Sequence, residues 1–134
     1  MADDPVLRPI GWVRSSLQDR AAAPKQGFEG APPAAIELAP WVAEAARDLQ
    51  AGSYLWVLTW FDRSDRSVLT THPRDDRTRP ELGVFATRSP DRPNPIGLHR
   101  VRLVGVDGLR LEVEDLEALD GTPVIDLKPV LDGE

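Results

Sequence analysis

The sequence contains no cysteine, which excludes disulfide bonds, thiolate metal sites and cysteine nucleophiles. It has two histidines, His72 and His99, which cannot assemble a common metal site without carboxylate ligands. No apolar run is long enough to span a bilayer, and the N-terminus, with Asp3 and Asp4, does not resemble a secretory signal. A Gly-Lys-Ser/Thr loop and a Gly-x-Gly-x-x-Gly turn are both missing, which argues against a Rossmann nucleotide site. The sequence predicts one cytoplasmic domain over residues 1–134 without a bound metal.

Charge is unevenly distributed along the 134 residues, whose net charge is −6. Residues 63–102 carry nine arginines and five acidic residues, whereas residues 103–134 carry two basic and nine acidic residues. Arginine is suited to two-pronged contacts with phosphate and carboxylate groups. The middle of the chain can therefore form an electropositive face, or its arginines can pair with the acidic ends. The acidic overall composition is unlike that of a typical nucleic-acid-binding protein.

Hydrophobic periodicity predicts a mainly β fold with one short helix. Apolar runs and alternation predict strands over residues 7–14, 35–38, 54–61 and 83–86. Pro40 suits the first position of a helix that would end before Gly52. Asp107-Gly108, between alternating apolar segments, predicts a β-hairpin. Five or six strands without a βαβ rhythm predict a compact β-barrel, with a long arginine-rich loop over residues 62–82.

Two polar segments rich in proline are the most informative part of the sequence. We call Arg88–Leu98 the first strap and Asp120–Pro129 the second strap. In the first strap Ser89, Arg92 and Asn94 each precede a proline, which makes the backbone extended and stiff. A polar segment with so little conformational freedom is typical of a pre-organised binding site. The structural alternatives are surface ion pairs for the arginines, and tight turns at Asn94 and Asp120-Gly121.

These segments resemble the signatures of the TsaA-like (YaeB) family. The first signature corresponds to Gly83–Pro90 continued by Arg92–Leu98, and the second to Asp120–Pro129. The opening block of the family is matched by Pro9–Ser15 and by the Pro24-Lys25-Gln26 triplet. The similarity spans nearly the whole chain in the same order, so it applies to the fold as well as to the straps.

The resemblance implies a β-barrel enzyme of the tRNA methyltransferase O group that uses S-adenosyl-L-methionine and works as a homodimer. Its expected reaction is methylation of the N6 nitrogen of threonylcarbamoyladenosine, next to the anticodon of tRNA. The cofactor would lie in a cleft near the subunit interface. By matching motif, the implied cofactor-binding residues are Pro24, Lys25, Gln26, Asp62, Arg63, Arg88, Leu98, Asp120, Gly121, Thr122 and Pro123.

The chemistry of this reaction suggests roles for individual side chains. A guanidinium such as Arg88 can bind the cofactor carboxylate, and Asp120 can accept hydrogen bonds from the ribose or the ammonium. The backbone at Leu98 and Thr122 can frame the adenine. Methyl transfer needs aligned reactants and a group that orients the acceptor nitrogen or takes its proton. The catalytic candidates are Asn94 for orientation, Arg92, and Asp126 as a base.

Three positions depart from the family pattern. Lys25 replaces the usual arginine, Asp62 a histidine after the Trp-Phe pair, and His99 a serine. The chain ends at Glu134, so no C-terminal domain of the kind that bacterial members use with tRNA is expected. Two alternatives therefore remain open: a methyltransferase for a small molecule or another RNA, and a non-enzymatic module that binds an adenosyl ligand.

Overall fold

The structure is a computed structural model that describes residues 3–19, 23–25 and 27–134. Its strands are β1 Gly11–Arg14, β2 Ala34–Leu38, β3 Tyr54–Trp60, β4 Thr70–Thr71, β5 Leu82–Gly83, β6 Ile96–Asp107, β7 Arg110–Glu114 and β8 Pro123–Pro129. Short 3-10 helices occupy Gly27–Glu29, Pro40–Ala46, Pro73–Asp75 and Val84–Ala86. Within the described ranges, no helix has the length and apolar character needed to cross a membrane.

Six strands close into a barrel in the order β1-β2-β7-β6-β3-β8, while β4 and β5 form a separate two-stranded sheet. Every neighbouring pair in the barrel is antiparallel. The β3–β6 pairing extends from Tyr54 opposite Arg102 to Trp60 opposite Ile96. Closure leaves the barrel without a free sheet edge, which protects it from pairing with other chains. The predicted mainly β barrel is confirmed.

The interior of the barrel is filled by apolar side chains from alternate strand positions. In β7, Leu111 and Val113 are buried while Arg110, Glu112 and Glu114 are exposed, as a strand with one wet face requires. The core also contains Val13, Ile36, Leu55, Val57, Val101, Leu103, Leu116 and Val124. The same alternation runs along β6, where it places positions 97, 99, 101 and 103 on the inner face.

The predicted hairpin is confirmed. Asp107 pairs with Arg110 across the turn, and Gly108 adopts a φ of 57°, a backbone conformation that glycine tolerates readily. The register shifts between Leu103 and Gly105, which introduces a β-bulge into β6. The predicted strands at 35–38 and 54–61 also form, with β3 ending at Trp60.

The predicted helix forms, but as a 3-10 helix over Pro40–Ala46. Ala39 at its N-terminus offers no side-chain cap, and Val42 is its buried residue. A helix with so narrow a contact to the core gains little from packing, and short 3-10 helices are common in such connections.

Two predicted strands have different bounds in the structure. The first strand begins at Gly11 and not at Leu7. The side chain of Leu7 is exposed, so it does not belong to the buried face that the alternation predicted. The strand predicted over residues 83–86 is wrong beyond Gly83, because Val84–Ala86 is a 3-10 turn. The second strap is largely β8, a regular barrel strand.

Short-range hydrogen bonds order the arginine-rich loop. Asp65 Oδ1 accepts from the backbone N–H and hydroxyl of Ser67, at 2.8 and 2.6 Å. Asp76 Oδ1 accepts from the same two groups of Thr78, at 3.0 and 2.6 Å. These hydrogen bonds lower the pKa of both carboxyl groups because they favour the ionised form. The loop therefore has local structure between its arginines.

Candidate functional site

A cavity of about 980 Å³ lies at one end of the barrel. The end of β3, the start of β6 and the residues before β8 meet there because β3 is antiparallel to both other strands. The first strap, the arginine-rich loop, residues 23–25 and Phe28 supply the rest of the wall. A cavity of this volume is at the upper end of the range for small-molecule sites.

Residues from four separate parts of the sequence converge on this cavity. The predicted cofactor-binding residues that line it are Pro24, Lys25, Asp62, Arg63, Arg88, Leu98 and Thr122. Asp120, Gly121 and Pro123 lie outside its wall, and Gln26 lies outside the described residues. The fold thus brings the two straps together at one site, while the individual roles stay predictions.

The arginines of the cavity wall differ in what they contact. Arg88 is exposed and has no hydrogen bond or ion pair with any residue in the described part of the chain. Arg63 donates to the carbonyl oxygens of Gln18 and Asp120, at 3.3 and 3.2 Å. Arg74 is paired with Glu29 at 2.7 Å, which raises the pKa of the guanidinium through this hydrogen bond and the opposite charge. Arg88 is therefore well placed to bind an anionic group of a ligand.

Arg92, a predicted catalytic residue, lines the cavity but is engaged by the backbone. Its guanidinium donates to the Thr87 carbonyl oxygen, at 3.2 and 3.0 Å, and to the Val84 carbonyl oxygen. Thr87 Oγ1 also donates to the Val84 oxygen, at 2.8 Å. Arg92 thus holds the 3-10 turn that precedes the first strap, and the geometry gives no separate support to a catalytic role.

The start of the second strap is hydrogen-bonded to β1 and to the residues that follow this strand. Asp120 Oδ1 accepts from the backbone N–H of Ser15 at 3.0 Å, and the Asp120 N–H donates to the Leu17 carbonyl oxygen at 2.7 Å. Gly121 follows with a φ of 81° and donates to the Val13 oxygen at 2.7 Å. These contacts are those of a structural turn, which places the buried Thr122 in the cavity wall.

The other two predicted catalytic residues do not line the cavity. Asn94 Oδ1 accepts from Arg66 Nη2 at 2.9 Å on the exposed side of the first strap. Asp126 accepts from the N–H of Leu127 at 2.9 Å and is paired with Lys128 at 3.2 Å. Their catalytic roles stay predictions that the geometry does not support.

A buried polar chain of Thr59, His99 and Glu117 lies beside the cavity. His99 Nε2 is 2.7 Å from Thr59 Oγ1, and His99 Nδ1 is 2.6 Å from Glu117 Oε1. Phe61 meets the imidazole edge to face, with ring centroids 5.8 Å apart. Sequence reasoning did not select this set. The alternation of β6 was the available signal, because it places His99 on the same inner face as Val101.

Within the described residues, no group of three or more acidic or histidine side chains is arranged to hold a metal ion. Charged groups at the cavity instead include isolated ion pairs, such as Lys25 with Asp75 at 3.4 Å. The site therefore offers arginine, carboxylate and apolar groups to an organic ligand.

Residues 12–133 match the family model described as the tRNA-methyltransferase O N-terminal domain. The chain belongs to this family. The predicted TsaA-like membership is confirmed, and the barrel is the fold of the family's solved structures, since TrmO from P. aeruginosa aligns with a TM-score of 0.77. That structure is 36% identical over 98% of this chain and 56% of its own.

Two archaeal relatives differ in how much of their length the chain covers. A probable S-adenosyl-L-methionine-binding protein of Archaeoglobus fulgidus is 45% identical, over 92% of this chain and 33% of its own length. One of the same description from Methanothermobacter thermautotrophicus is 43% identical, over 92% of this chain and 88% of its own. The chain thus spans a third of the first relative and nearly all of the second.

The three positions predicted to depart from the family pattern lie in the cavity wall or next to it. Lys25 and Asp62 line its wall, and both are exposed. His99 is 2% exposed and contacts Glu117, which is itself part of the wall. The predicted departures therefore concern charged or polar side chains at the candidate site.

Proposed function

We propose that this chain is an S-adenosyl-L-methionine-dependent methyltransferase that methylates the N6 nitrogen of threonylcarbamoyladenosine in tRNA. The observation that carries the proposal is the convergence of both straps on one cavity at the end of the barrel. Membership of the tRNA-methyltransferase O family supports the reaction class. The names of the archaeal relatives support the cofactor. The expected cytoplasmic location belongs to the same proposal.

The donor set of the cavity fits S-adenosyl-L-methionine. Arg88 offers an exposed guanidinium to the α-carboxylate, and this kind of charge-assisted contact is strong and directional. Asp62 lines the wall as an exposed carboxylate that can accept from the ribose hydroxyls or the ammonium. Leu98 and Ile96 expose apolar surface for the adenine. When bound, the cofactor supplies the methyl group.

A second copy of the chain is the proposed cover for the mouth of the cavity. Phe28, Leu82 and Phe85 line the wall with 79%, 40% and 82% of their surface exposed. Exposed apolar surface is typical of interaction sites. Sedimentation at micromolar concentration is expected to give the mass of a dimer. Replacing both phenylalanines with serine should shift the mass to that of a monomer, and a monomeric parent protein would contradict the proposal.

A small-molecule acceptor is the second candidate, and the internal contacts of the arginines favour it. Arg63, Arg66, Arg74 and Arg92 are engaged by carbonyl oxygens or carboxylates of the same chain, which leaves fewer guanidinium groups for phosphates. Arg88, which has no partner among the described residues, lines the cavity. Binding to RNA would then be weak and insensitive to salt.

Titration of the protein with S-adenosyl-L-methionine, followed by methyl transfer to threonylcarbamoylated tRNA, tests the proposal. Saturable binding at micromolar affinity and transfer to this tRNA are expected, with no transfer to tRNA that lacks the modification. Binding of tRNA should weaken steeply with salt, because arginine–phosphate contacts release counterions. Cofactor binding without transfer to tRNA would favour the small-molecule acceptor. Absence of cofactor binding, with and without tRNA, would favour the non-enzymatic module.

A further inference from the structure

The Thr59–His99–Glu117 chain is a set of hydrogen-bonded polar groups inside an otherwise apolar barrel. The Thr59 and His99 residues are 0% and 2% exposed, and the Glu117 side chain is 12% exposed. Thr59 belongs to β3, His99 to β6, and Glu117 to the connection between β7 and β8. Buried polar groups of this kind seldom stabilise a fold more than apolar residues of similar size would. The presence of these three hydrogen-bonded side chains in the barrel therefore calls for a functional explanation.

The direction of the hydrogen bonds follows from the chemistry of the groups. A carboxylate that acts as a base is ionised and can only accept, so with Glu117 in that form His99 donates from Nδ1 to Glu117 Oε1 across 2.6 Å. The other nitrogen of a neutral imidazole then accepts the hydroxyl proton of Thr59 across 2.7 Å. Each group thus fixes the orientation of the next, and the series ends at the Glu117 carboxylate.

Of the three hydrogen-bonded residues, Glu117 is the one that lines the cavity. Its bond to His99 uses Oε1, and among the described residues no buried side-chain oxygen or nitrogen lacks a partner, so Oε2 is not sealed inside the barrel. The other carboxylates of the wall differ: Asp62 is exposed, Asp75 is 87% exposed and paired with Lys25, and half-buried Asp91 accepts from the backbone N–H of Asp65 at 2.9 Å. Glu117 is therefore a carboxylate held in one orientation and largely shielded from water.

We propose that Glu117 takes the proton from the methyl-accepting nitrogen, and that His99 and Thr59 are positioning residues for its carboxylate. The inference rests on the proposed function. As the nitrogen forms its bond to the methyl carbon, its proton passes to Glu117 Oε2. The methyl–sulfur bond breaks, and its electron pair stays on the sulfur. This assignment gives Glu117 the task that the sequence suggested for Asp126, which does not line the cavity.

The first test compares Glu117→Gln with Glu114→Gln in the full chain. Glutamine keeps the shape of the side chain and an acceptor for His99 but cannot take the proton. Glu114 is a matched control, because it lies on β7 with its side chain 51% exposed and paired with Arg102. We expect Glu117→Gln to bind S-adenosyl-L-methionine with unchanged affinity and to slow single-turnover transfer by about 100-fold or more. Glu114→Gln should match the parent in both measurements.

Each outcome of this comparison has a distinct meaning. Transfer by Glu117→Gln at the rate of the parent would overturn the inference and leave the proposed function intact. The inference would also be overturned if Glu117→Gln bound the cofactor more weakly but transferred the methyl group at the parent rate once the cofactor was saturating. Glu117 would then be a binding residue. A parent protein that binds the cofactor but methylates no tRNA would overturn the proposed function and the inference together. Recovery of part of the rate in Glu117→Asp would support a carboxylate base.

Thr59→Val tests the positioning role, because valine keeps the volume and removes the hydroxyl that orients His99. We expect the rate of transfer to fall by about threefold to tenfold, the effect of one lost hydrogen bond, with cofactor affinity unchanged. The double variant with Glu117→Gln should be no slower than Glu117→Gln alone, since both changes act through one carboxylate. An unchanged rate in Thr59→Val, or additive losses in the double variant, would overturn the positioning role.

Discussion

Replacing Gly97 with alanine is expected to lower the free energy of unfolding by about 3 kcal/mol, a large effect for one methyl group. A Cβ at this position would lie 2.3 Å from Thr59 Oγ1, 2.5 Å from Phe61 Cζ and 2.7 Å from His99 Nε2. Real Cβ atoms do not approach other atoms so closely, so the side chains must shift. The shift would separate Thr59 from His99 and leave buried polar groups without partners.

Gly105→Ala is the matched control, because Gly105 lies in the same strand with nothing within 4 Å of the corresponding Cβ. This variant should be as stable as the parent or slightly more stable, since alanine loses less backbone entropy on folding. Urea unfolding of the two variants gives the comparison directly. Equal stability of Gly97→Ala and Gly105→Ala would mean that the side chains around Gly97 can move to accept a methyl group, which contradicts the tight packing seen there.

Replacing Arg88 with alanine is expected to weaken the binding of S-adenosyl-L-methionine by about 10- to 100-fold. This range corresponds to the loss of a hydrogen bond to a charged group. Arg88 is exposed and has no protein partner within the described residues, so the variant should unfold at the temperature of the parent. Arg88→Lys should lie between the two, because lysine keeps the charge and loses the planar fork.

Arg77→Ala is the control for the change in net charge. Arg77 is exposed in the arginine-rich loop and does not line the cavity, so its removal should leave cofactor affinity unchanged. Calorimetric titration of Arg88→Ala, Arg88→Lys and Arg77→Ala with S-adenosyl-L-methionine distinguishes a direct contact of Arg88 with the cofactor from a long-range effect of net charge. Equal losses in Arg77→Ala and Arg88→Ala would indicate a general effect of charge. Unchanged affinity in Arg88→Ala would remove Arg88 from the site.

The barrel and its hairpin could be predicted because their signals are local. In residues 109–114 apolar and polar side chains alternate strictly, and the structure buries Leu111 and Val113 accordingly. The structure differs from the sequence prediction where tertiary contacts override such local signals. Residues 84–86 carry apolar side chains suited to a strand, yet the guanidinium of Arg92 holds them in a 3-10 turn. No local pattern could indicate that contact, because it depends on how the first strap folds back.

In the candidate site, too, some features followed from the local sequence and others depended on tertiary contacts. The sequence by itself determined the family, the two straps and the expectation that they form one site, because these are properties of residue order and backbone stiffness. Only the tertiary structure decided that Asp126 is paired with Lys128 away from the cavity, while Glu117 reaches it. The carboxylates are chemically alike, and their environments differ because β6 places His99 beside Glu117 and β3 places Thr59 on the other side of that imidazole. Alternation along a strand predicts which face a residue occupies, but the register of barrel closure decides what it meets there.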